Sequence, residues 1–257
     1  DQNDRGTNMV LASIRSEARL PVQMAPLIFI STVVTHLCGG SAGREGAALQ
    51  LGGSIGSMFG RLFRMQERDK HVMILCGMSA AFSAIFRTPI AAPVFAMEVV
   101  CVGAMHYPAL VPCSIASLTA SWLAGKLGIP LAKFSVQEIP PLQIVPSLKI
   151  LLLGVLCAGV SVLFCILLHQ TEKQLHSRIQ NPYLRILAAS GMIWILFLLV
   201  RNQDYLGIGT DVIGRAIAGD AVWYAFLMKI LFTAVTLGGG FKGGEIVASF
   251  FIGAVFG

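Results

Sequence analysis

The stretch "GGSAGREGAALQLGGS" (39–54) places two charged residues, Arg44 and Glu45, among glycines and apolar residues. Glycine lets the backbone approach a ligand closely, because it has no Cβ. A helix that starts after such a turn leaves its first N–H groups without intrahelical acceptors. Those donors, together with the positive end of the helix dipole, favour an anion. The stretch therefore predicts a glycine turn followed by a helix whose start binds an anion.

The sequence around this stretch has the composition of a membrane protein. The 257 residues are 55% hydrophobic and 12% charged, whereas soluble domains carry about 25% charged residues. Asp, Glu, Lys and Arg are absent from 20–43, 99–125 and 150–171. A helix needs roughly 20 apolar residues to cross a bilayer, and one signal peptide cannot account for several such segments. We therefore predict an all-α polytopic membrane protein that has the lipid bilayer as a partner.

The formal net charge of +6 does not indicate nucleic-acid binding, because the basic residues are scattered. They cluster where apolar runs stop, as in 61–70 and 173–185, a pattern typical of membrane topology and lipid headgroups. The six cysteines lie singly in apolar stretches without CxxC spacing. We expect no disulfide framework, no metal site and no cofactor.

Hydrophobic runs and turn signals predict nine helices, several of them shorter than a full membrane span. They cover 20–38, 46–62, 70–85, 89–104, 108–125, 146–170, 183–200, 221–236 and 245–257. The predicted connectors include "GIP" (128–130), "IPP" (139–141), "NP" (181–182) and "GIGTD" (207–211). Short or interrupted apolar segments are typical of transporters, in which discontinuous helices meet inside the membrane.

The chain begins in a polar stretch at Asp1 and ends within an apolar run at Gly257. We expect it to be an internal segment, incomplete at both ends, of a longer membrane protein. Residues 1–257 are predicted to form a single transmembrane anion-transport domain, from which N-terminal helices and a C-terminal helix are missing.

An internal repeat relates the quoted stretch to "GGGFKGGEIVASFFIGAVFG" (238–257). At an offset of 200 the matched residues are Gly39, Gly40, Gly43, Glu45, Ala48 and Gly53 with Gly239, Gly240, Gly243, Glu245, Ala248 and Gly253. Each copy consists of a glycine turn, a carboxylate and an apolar helix. Two helix starts facing each other near the middle of the membrane would hold a small anion where water is scarce.

Three segments resemble the CLC family of chloride channels and anion/proton antiporters. They are "GREGAALQLGGSIG" (43–56), "GMSAAFSAIFRTPIAAPVFAMEV" (77–99) and residues 238–257. The resemblance implies an inverted-repeat bundle of short, tilted and discontinuous helices. It also implies a homodimer that moves a halide anion, and an integral membrane protein that is not an enzyme.

The resemblance implies that Glu45 is both the gate and the proton carrier. A carboxylate competes with an anion for the same N–H donors, and protonation removes its charge. The anion-binding positions, implied by the helix starts and by the resemblance together, are Gly43, Arg44, Gly46, Ala47, Gly243, Gly244, Glu245 and Ile246.

Several candidate residues keep two interpretations. Glu245 is either a second proton-handling carboxylate or a helix cap, and Lys242 either neutralises it or attracts anions. Phe82 and Phe86, four residues apart, form a packing face or present ring edges to an anion in the pathway.

The sequence also departs from the common CLC pattern. Ala47 and Ala248 stand where proline is usual, and Val99 occupies the position of the internal proton-relay glutamate, with Glu98 one residue earlier. "GGGFKGGE" (238–245) without a relay glutamate resembles the fluoride/proton antiporter branch, which is bacterial. We predict proton-coupled antiport of chloride or fluoride, favour fluoride, and expect a bacterial inner membrane location. A passive voltage-gated-type chloride channel is the alternative.

An intramembrane hydrolase is a more distant alternative. "GGSAG" (39–43) with His36 nearby superficially resembles the serine motif of intramembrane proteases. No histidine on a second helix is placed for Ser41, and the repeat stays unexplained. An inert membrane subunit would have no use for an anion-binding helix start.

Overall fold

A computed structural model describes residues 23–100, 103, 105–129 and 143–257, and within these the chain is helical. The α-helices are α1 (Met24–Leu37), α2 (Glu45–Leu62), α3 (Glu67–Phe86), α4 (Ala91–Val100), α5 (Leu110–Lys126), α6 (Ile144–Arg178), α7 (Pro182–Val200), α8 (Thr210–Ile217), α9 (Ala225–Gly238) and α10 (Ile246–Phe256). Short 3₁₀ turns at Tyr107–Ala109 and Gln203–Tyr205 precede α5 and α8. The all-helical prediction is confirmed for the described residues.

Helix lengths agree with the prediction of discontinuous helices. Among the residues that the structure describes, four segments are long and apolar enough to cross a bilayer: Glu67–Phe86, Tyr107–Lys126, Ile144–Arg178 and Pro182–Val200. Four further apolar helices span only 10–14 described residues, too few to cross a bilayer alone: α1, α4, α9 and α10. In the most apolar 18-residue stretch of α6, only 6% is buried within the protein, which fits a helix that faces lipid.

The structure corrects two predicted segments. Residues 207–211, predicted to be a connector, lead directly into α8, a short amphipathic helix whose Val212 and Ile213 are buried. Tertiary contacts stabilise this helix, which is too short to be stable alone. Helix α6 continues through the polar residues 171–178, beyond its predicted end at 170. An apolar run shows how far a helix can lie in lipid, but the helix itself can extend past it into the polar surroundings. Predicted residues 20–22 and the "IPP" connector lie outside the described residues.

The chain divides into two compact units, the first of which contains the described parts of 23–32 and 45–129. Within it, α2 packs closely against α3. A Cβ at Gly52 would collide with the carbonyl of Gly77, and one at Gly56 would collide with that of Met73. Glycines spaced four residues apart thus allow two helix backbones to touch, as membrane helices commonly do.

Helices α3 and α5 are joined by donors spaced four residues apart. The Ser79 hydroxyl donates to the Cys113 carbonyl (3.1 Å), and the Ser83 hydroxyl donates to the Ser117 carbonyl (2.9 Å). One turn further on, Arg87 Nη1 donates to the Ser121 carbonyl (3.2 Å). Each donor is therefore bonded to the residue 34 positions later.

The second unit contains the described residues 33–44 and 143–257. Helix α9 packs against α6, α7 and α10. Its Phe232 and Val235 share a buried apolar cluster with Tyr205 and with Phe251 of α10. The loop that carries the first glycine turn belongs to this unit, although most of its sequence neighbours do not.

Candidate functional site

The two glycine turns of the repeat are joined by backbone hydrogen bonds within the second unit. The N–H of Gly43 donates to the carbonyl of Gly244 at 2.7 Å, and the N–H of Gly244 donates to the carbonyl of Gly43 at 2.8 Å. The pair forms an isolated antiparallel bridge. The structure therefore places side by side two segments that the sequence separates by about two hundred residues.

The local structure of the two turns repeats at an offset of 201, not at the predicted 200. Gly39 and Gly240 both have positive φ, 75° and 96°, a conformation that glycine adopts at little cost. The preceding helix ends with the Gly40 N–H bonded to the Thr35 carbonyl, and its counterpart is the Phe241 N–H bonded to the Thr236 carbonyl. The sequence comparison paired Gly39 with Gly239, because it aligned glycines by identity alone. The structure pairs Gly39 with Gly240, because these two glycines share the positive φ.

The corrected register changes which residues are equivalent. Glu45, the first residue of α2, corresponds to Ile246, the first residue of α10. Glu245 corresponds to Arg44, and both of these side chains are exposed directly after a bridging glycine. The predicted pairing of Glu45 with Glu245 is wrong, so the repeat contains one buried helix-start carboxylate and not two.

Glu45 is buried, with 1% of its surface exposed, in the first turn of α2. Gly46 and Ala47 follow it and are also buried. Helix geometry gives the N–H groups of a first turn no acceptor within the helix. A buried carboxylate at a helix N-terminus is stabilised by the helix dipole, and any anion at that place would be stabilised in the same way.

The start of α10 has the same backbone pattern. The N–H of Ser249 donates to the carbonyl of Glu245 at 2.9 Å, so helical bonding begins there. Ile246 lies in the first turn, and the Glu245 side chain makes no capping hydrogen bond to the helix. Gly243 lies against Ala42, and a Cβ at this position would collide with the Ala42 methyl group. The N–H groups of Gly43 and Gly244 are used in the bridge, so the donors of each helix start come from the residues after them.

Ser41 is wholly buried in a network of hydroxyl groups. Its Oγ lies 3.1 Å from Thr233 Oγ1, and its N–H donates to Thr236 Oγ1 at 3.0 Å. The partner of the Ser41 hydroxyl is therefore a threonine and not an imidazole. This arrangement lacks the serine–histidine pair that the hydrolase alternative requires.

A buried lysine on α9 was missed by the sequence analysis. Lys229 is fully buried, and its Nζ donates to the Gly207 carbonyl (2.8 Å) and the Tyr205 carbonyl (3.4 Å). Nζ also lies 5.1 Å from the centroid of the Phe251 ring. The signal was present in the sequence, since a lysine inside an apolar helix marks a functional candidate.

The remaining candidates lie on α3, on α4 and in the loop before α10. Phe82 packs against Phe86 (ring centroids 4.5 Å) and against Phe95 of α4 (4.3 Å), a packing arrangement within the first unit. Glu98 accepts a hydrogen bond from the Gly103 N–H at 3.1 Å. Lys242 is half-buried in the loop directly before Gly243. In the described residues no group of three or more His, Cys, Asp or Glu side chains could hold a metal ion.

Apolar helices too short to span a bilayer, together with two glycine turns that each lead into a helix, define a class of membrane transport proteins with discontinuous helices. The voltage gated chloride channel family matches residues 2–257, and the chain belongs to this CLC family. The resemblance noted in the sequence is thereby confirmed. The chain is an integral membrane protein, and the family consists of channels and transporters.

Two relatives illustrate the range of the family. The chain is 32% identical to a chloride/fluoride channel protein of Pseudomonas syringae, over 99% of this chain and 58% of the relative. It is 23% identical to the H(+)/Cl(-) exchange transporter ClcA of Yersinia pestis, over 91% of this chain and 51% of the relative. The chain thus spans little more than half the length of these curated relatives.

Two solved structures have the same fold. A crystal structure of a CLC-type fluoride/proton antiporter superposes with a TM-score of 0.93 at 34% identity, covering 100% of this chain and 66% of the other. A slow cyanobacterial Cl-/H+ antiporter superposes with a TM-score of 0.76 at 19% identity, covering 95% of this chain and 58% of the other. The second similarity shows the fold alone.

Proposed function

We propose that this protein transports a halide anion across the membrane in exchange for protons, with Glu45 as gate and proton carrier. The observation that carries the proposal is the burial of Glu45 at the first residue of α2, two residues after the Gly43–Gly244 bridge. An ionised carboxylate costs free energy in such surroundings, so its presence there points to a function.

The chemistry follows from competition for the same donors. When Glu45 is ionised, its carboxylate occupies the positive end of the α2 dipole and excludes an anion from that place. When it takes up a proton, the competition ends and the anion can bind. One side chain then couples the two movements, because each proton carried changes the occupancy of the anion site.

We propose that the transported anion is held mainly by backbone donors. Each helix start supplies donors of its own: the N–H groups of Gly46 and Ala47 in the first turn of α2, and that of Ile246 in the first turn of α10. Gly43, Gly243 and Gly244 shape the turns that precede these donors. Arg44, Glu245 and Lys242 are charged groups near the bridge that adjust the local anion concentration.

Within this proposal we favour fluoride over chloride. One relative is named a chloride/fluoride channel protein, and a solved structure of a fluoride/proton antiporter is 34% identical to this chain over the aligned residues. Val99, at the position that resembles the relay site of chloride/proton exchangers, cannot carry a proton. The same absence would suit a passive chloride channel, which is the second candidate.

The test is Glu45→Gln in the full-length protein, reconstituted in liposomes. Glutamine keeps the size of the side chain but cannot release or take up a proton. We expect anion flux to lose its dependence on the pH gradient, and proton movement driven by an anion gradient to disappear. Fluoride and chloride are measured separately with ion-selective electrodes.

Glu67→Gln is the matched control, because Glu67 is an exposed carboxylate that bonds Lys70 at 2.7 Å on the surface of α3. We expect its proton coupling to equal that of the wild type. Coupled transport that survives in Glu45→Gln would show that Glu45 is not the proton carrier. Wild-type anion flux without any proton movement would support the channel alternative.

We also propose that the protein is a homodimer in a bacterial inner membrane. The support is the family itself, the bacterial relatives and the lipid-facing apolar surface of α6 and α7. The mass of the detergent-solubilised full-length protein, measured by light scattering, tests the dimer. A monomeric mass with intact transport would contradict it.

A further inference from the structure

Helix α9 carries three buried polar side chains on a single face. Lys229, Thr233 and Thr236 are spaced at i, i+4 and i+7, which places them in a line along the helix. All three are completely buried, although the rest of "AFLMKILFTAVTLG" (225–238) is apolar. We call these three residues the polar face of α9.

Lys229, at the N-terminal end of the polar face, holds the turn that precedes α8. The Lys229 ammonium donates to the carbonyls of Gly207 and Tyr205. A buried ammonium needs such acceptors, because removing it from water without them is costly. Residues 205–207 are thereby fixed against α9.

Thr233 and Thr236, at the C-terminal end of the polar face, hold the loop of the first glycine turn. Thr236 accepts the Ser41 N–H and donates to the carbonyl of Phe232 at 2.7 Å. Thr233 lies 3.1 Å from the Ser41 hydroxyl. Both threonines therefore contact Ser41, two residues before the bridging Gly43.

The two held segments are also bonded to each other. The N–H of Gly207 donates to the carbonyl of Gly40 at 3.1 Å. The loop 39–44 is thus fixed at three places: at Gly40 through the turn that Lys229 holds, at Ser41 through the threonines, and at Gly43 through Gly244.

We infer that the polar face of α9 is a positioning element for anion transport, an inference that rests on the transport function proposed above. Lys229, Thr233 and Thr236 set the position of loop 39–44 and so of the Gly43 turn that leads to Glu45. None of the three needs to contact the anion. Their effect is on the geometry of the turn, which decides how well an anion is recognised.

The test uses Lys229→Met, Thr233→Val and Thr236→Val in the full-length protein in liposomes. Methionine keeps an unbranched apolar chain without the ammonium, and valine keeps the shape of threonine without its hydroxyl. The readouts are the ratio of fluoride to chloride flux and the number of protons moved per anion. Both ratios are independent of how much protein has folded, so a merely structural role would leave them unchanged.

We expect each of the three substitutions to shift the fluoride-to-chloride ratio about tenfold, which is less than the roughly hundredfold loss that a 1 Å misplacement of a positioned group can cause. Thr233→Ser keeps the hydroxyl and is expected to stay within about twofold of the wild type. Thr119→Val is the matched control, because Thr119 is exposed on α5 and bonds only the Ile115 carbonyl of its own helix in the contacts described (2.8 Å).

A second measurement separates failure of this inference from failure of the proposed function. Hydrogen exchange of the amides in loop 39–44 does not require transport, and we expect it to accelerate about tenfold or more in Lys229→Met. Unchanged flux ratios in all three variants of a transporting wild type would overturn the inference. If the wild type moves no anion, transport is refuted, and unchanged exchange in loop 39–44 would then also refute the positioning of this loop.

Discussion

Gly43 and Gly244 donate their backbone N–H groups to each other's carbonyl oxygens, at 2.7 and 2.8 Å. These two bonds tie a loop from the first third of the chain to the last helix start. Because both N–H groups are consumed, the bridge fixes the turns, and under the proposed function the N–H groups that bind an anion come from the helical residues after it.

Gly243→Ala should destabilise the second unit. The added Cβ would collide with the Ala42 methyl group beside the bridge. Overpacking of this kind costs about 1–3 kcal/mol, which we expect as a lower free energy of unfolding in detergent. Gly253→Ala in α10 is the control, since no heavy atom lies within 4 Å of its added Cβ. That control should be neutral or more stable, by up to about 1 kcal/mol, because alanine favours a helix.

Gly52→Ala should separate α2 from α3. Its Cβ would collide with the Gly77 carbonyl and lie 2.7 Å from the Ala81 Cβ. Because backbone atoms cannot move aside as a flexible side chain can, we expect a loss of at least about 2 kcal/mol in the free energy of unfolding. Gly159→Ala on α6, with nothing within 4 Å, is the comparison. Equal melting temperatures for the two variants would contradict the close contact of these helices.

Cys76 and Cys113 should form a disulfide when the reduced protein is oxidised with copper phenanthroline. Their sulfur atoms lie 3.8 Å apart across α3 and α5, and a disulfide requires about 2.05 Å, a small movement. Each thiol loses a proton and an electron to the oxidant. Peptide mapping by mass spectrometry should find the cross-linked pair, which Cys113→Ser abolishes. Two thiols that still react with maleimide after oxidation would refute the predicted contact.

The ion pair of Asp204 and Arg215 should make stability depend on pH. Partial burial raises the pKa of Asp204, but hydrogen bonds from Arg215 (2.6 Å) and Asn202 (2.9 Å) outweigh it and leave the pKa below its ordinary value. A lowered folded-state pKa stabilises the protein above the unfolded pKa, and this stability is lost as the pH falls through the folded pKa.

We therefore expect Arg215→Gln to lower the melting temperature slightly at neutral pH. The effect is small because both side chains are only partly buried, and ion pairs near the surface contribute little. The difference from the wild type should shrink as the pH falls below the ordinary Asp pKa of about 3.9 and vanish once the pH has passed through the lowered pKa of Asp204, where the carboxylate is protonated in both proteins. A difference that is constant with pH would show that the ion pair is not its source.

Glu245→Gln should change transport without changing stability. The Glu245 side chain is exposed and does not cap α10, so the helix loses no bond of that kind. If this carboxylate handles protons, the pH dependence of flux should shift in the variant while its melting temperature stays that of the wild type. A fall in melting temperature with an unchanged pH profile would instead support the structural role for Glu245.

Much of the fold was predictable from local sequence. Apolar runs without charge predict the membrane helices, because ionised groups are costly in lipid. Asn181 and Pro182 mark the start of α7, where the Asn181 side chain accepts the Tyr183 N–H at 3.0 Å. Helix α8 could not be predicted in the same way, because its stability comes from Val212 and Ile213 packing into a core assembled from distant segments.

The candidate site divides along the same line. The sequence by itself determined the membrane class, the glycine turns and the CLC resemblance, and it made Glu45 the candidate gate, since each depends on residue types at short spacing. Only the tertiary structure decided the register of the repeat, the pairing of Gly43 with Gly244, and the contacts of Lys229, Thr233 and Thr236 with two loops. The physical reason is that every residue except proline carries the same backbone donor and acceptor, and a buried side chain can bond any of them, so the long-range partners are set by the packed fold.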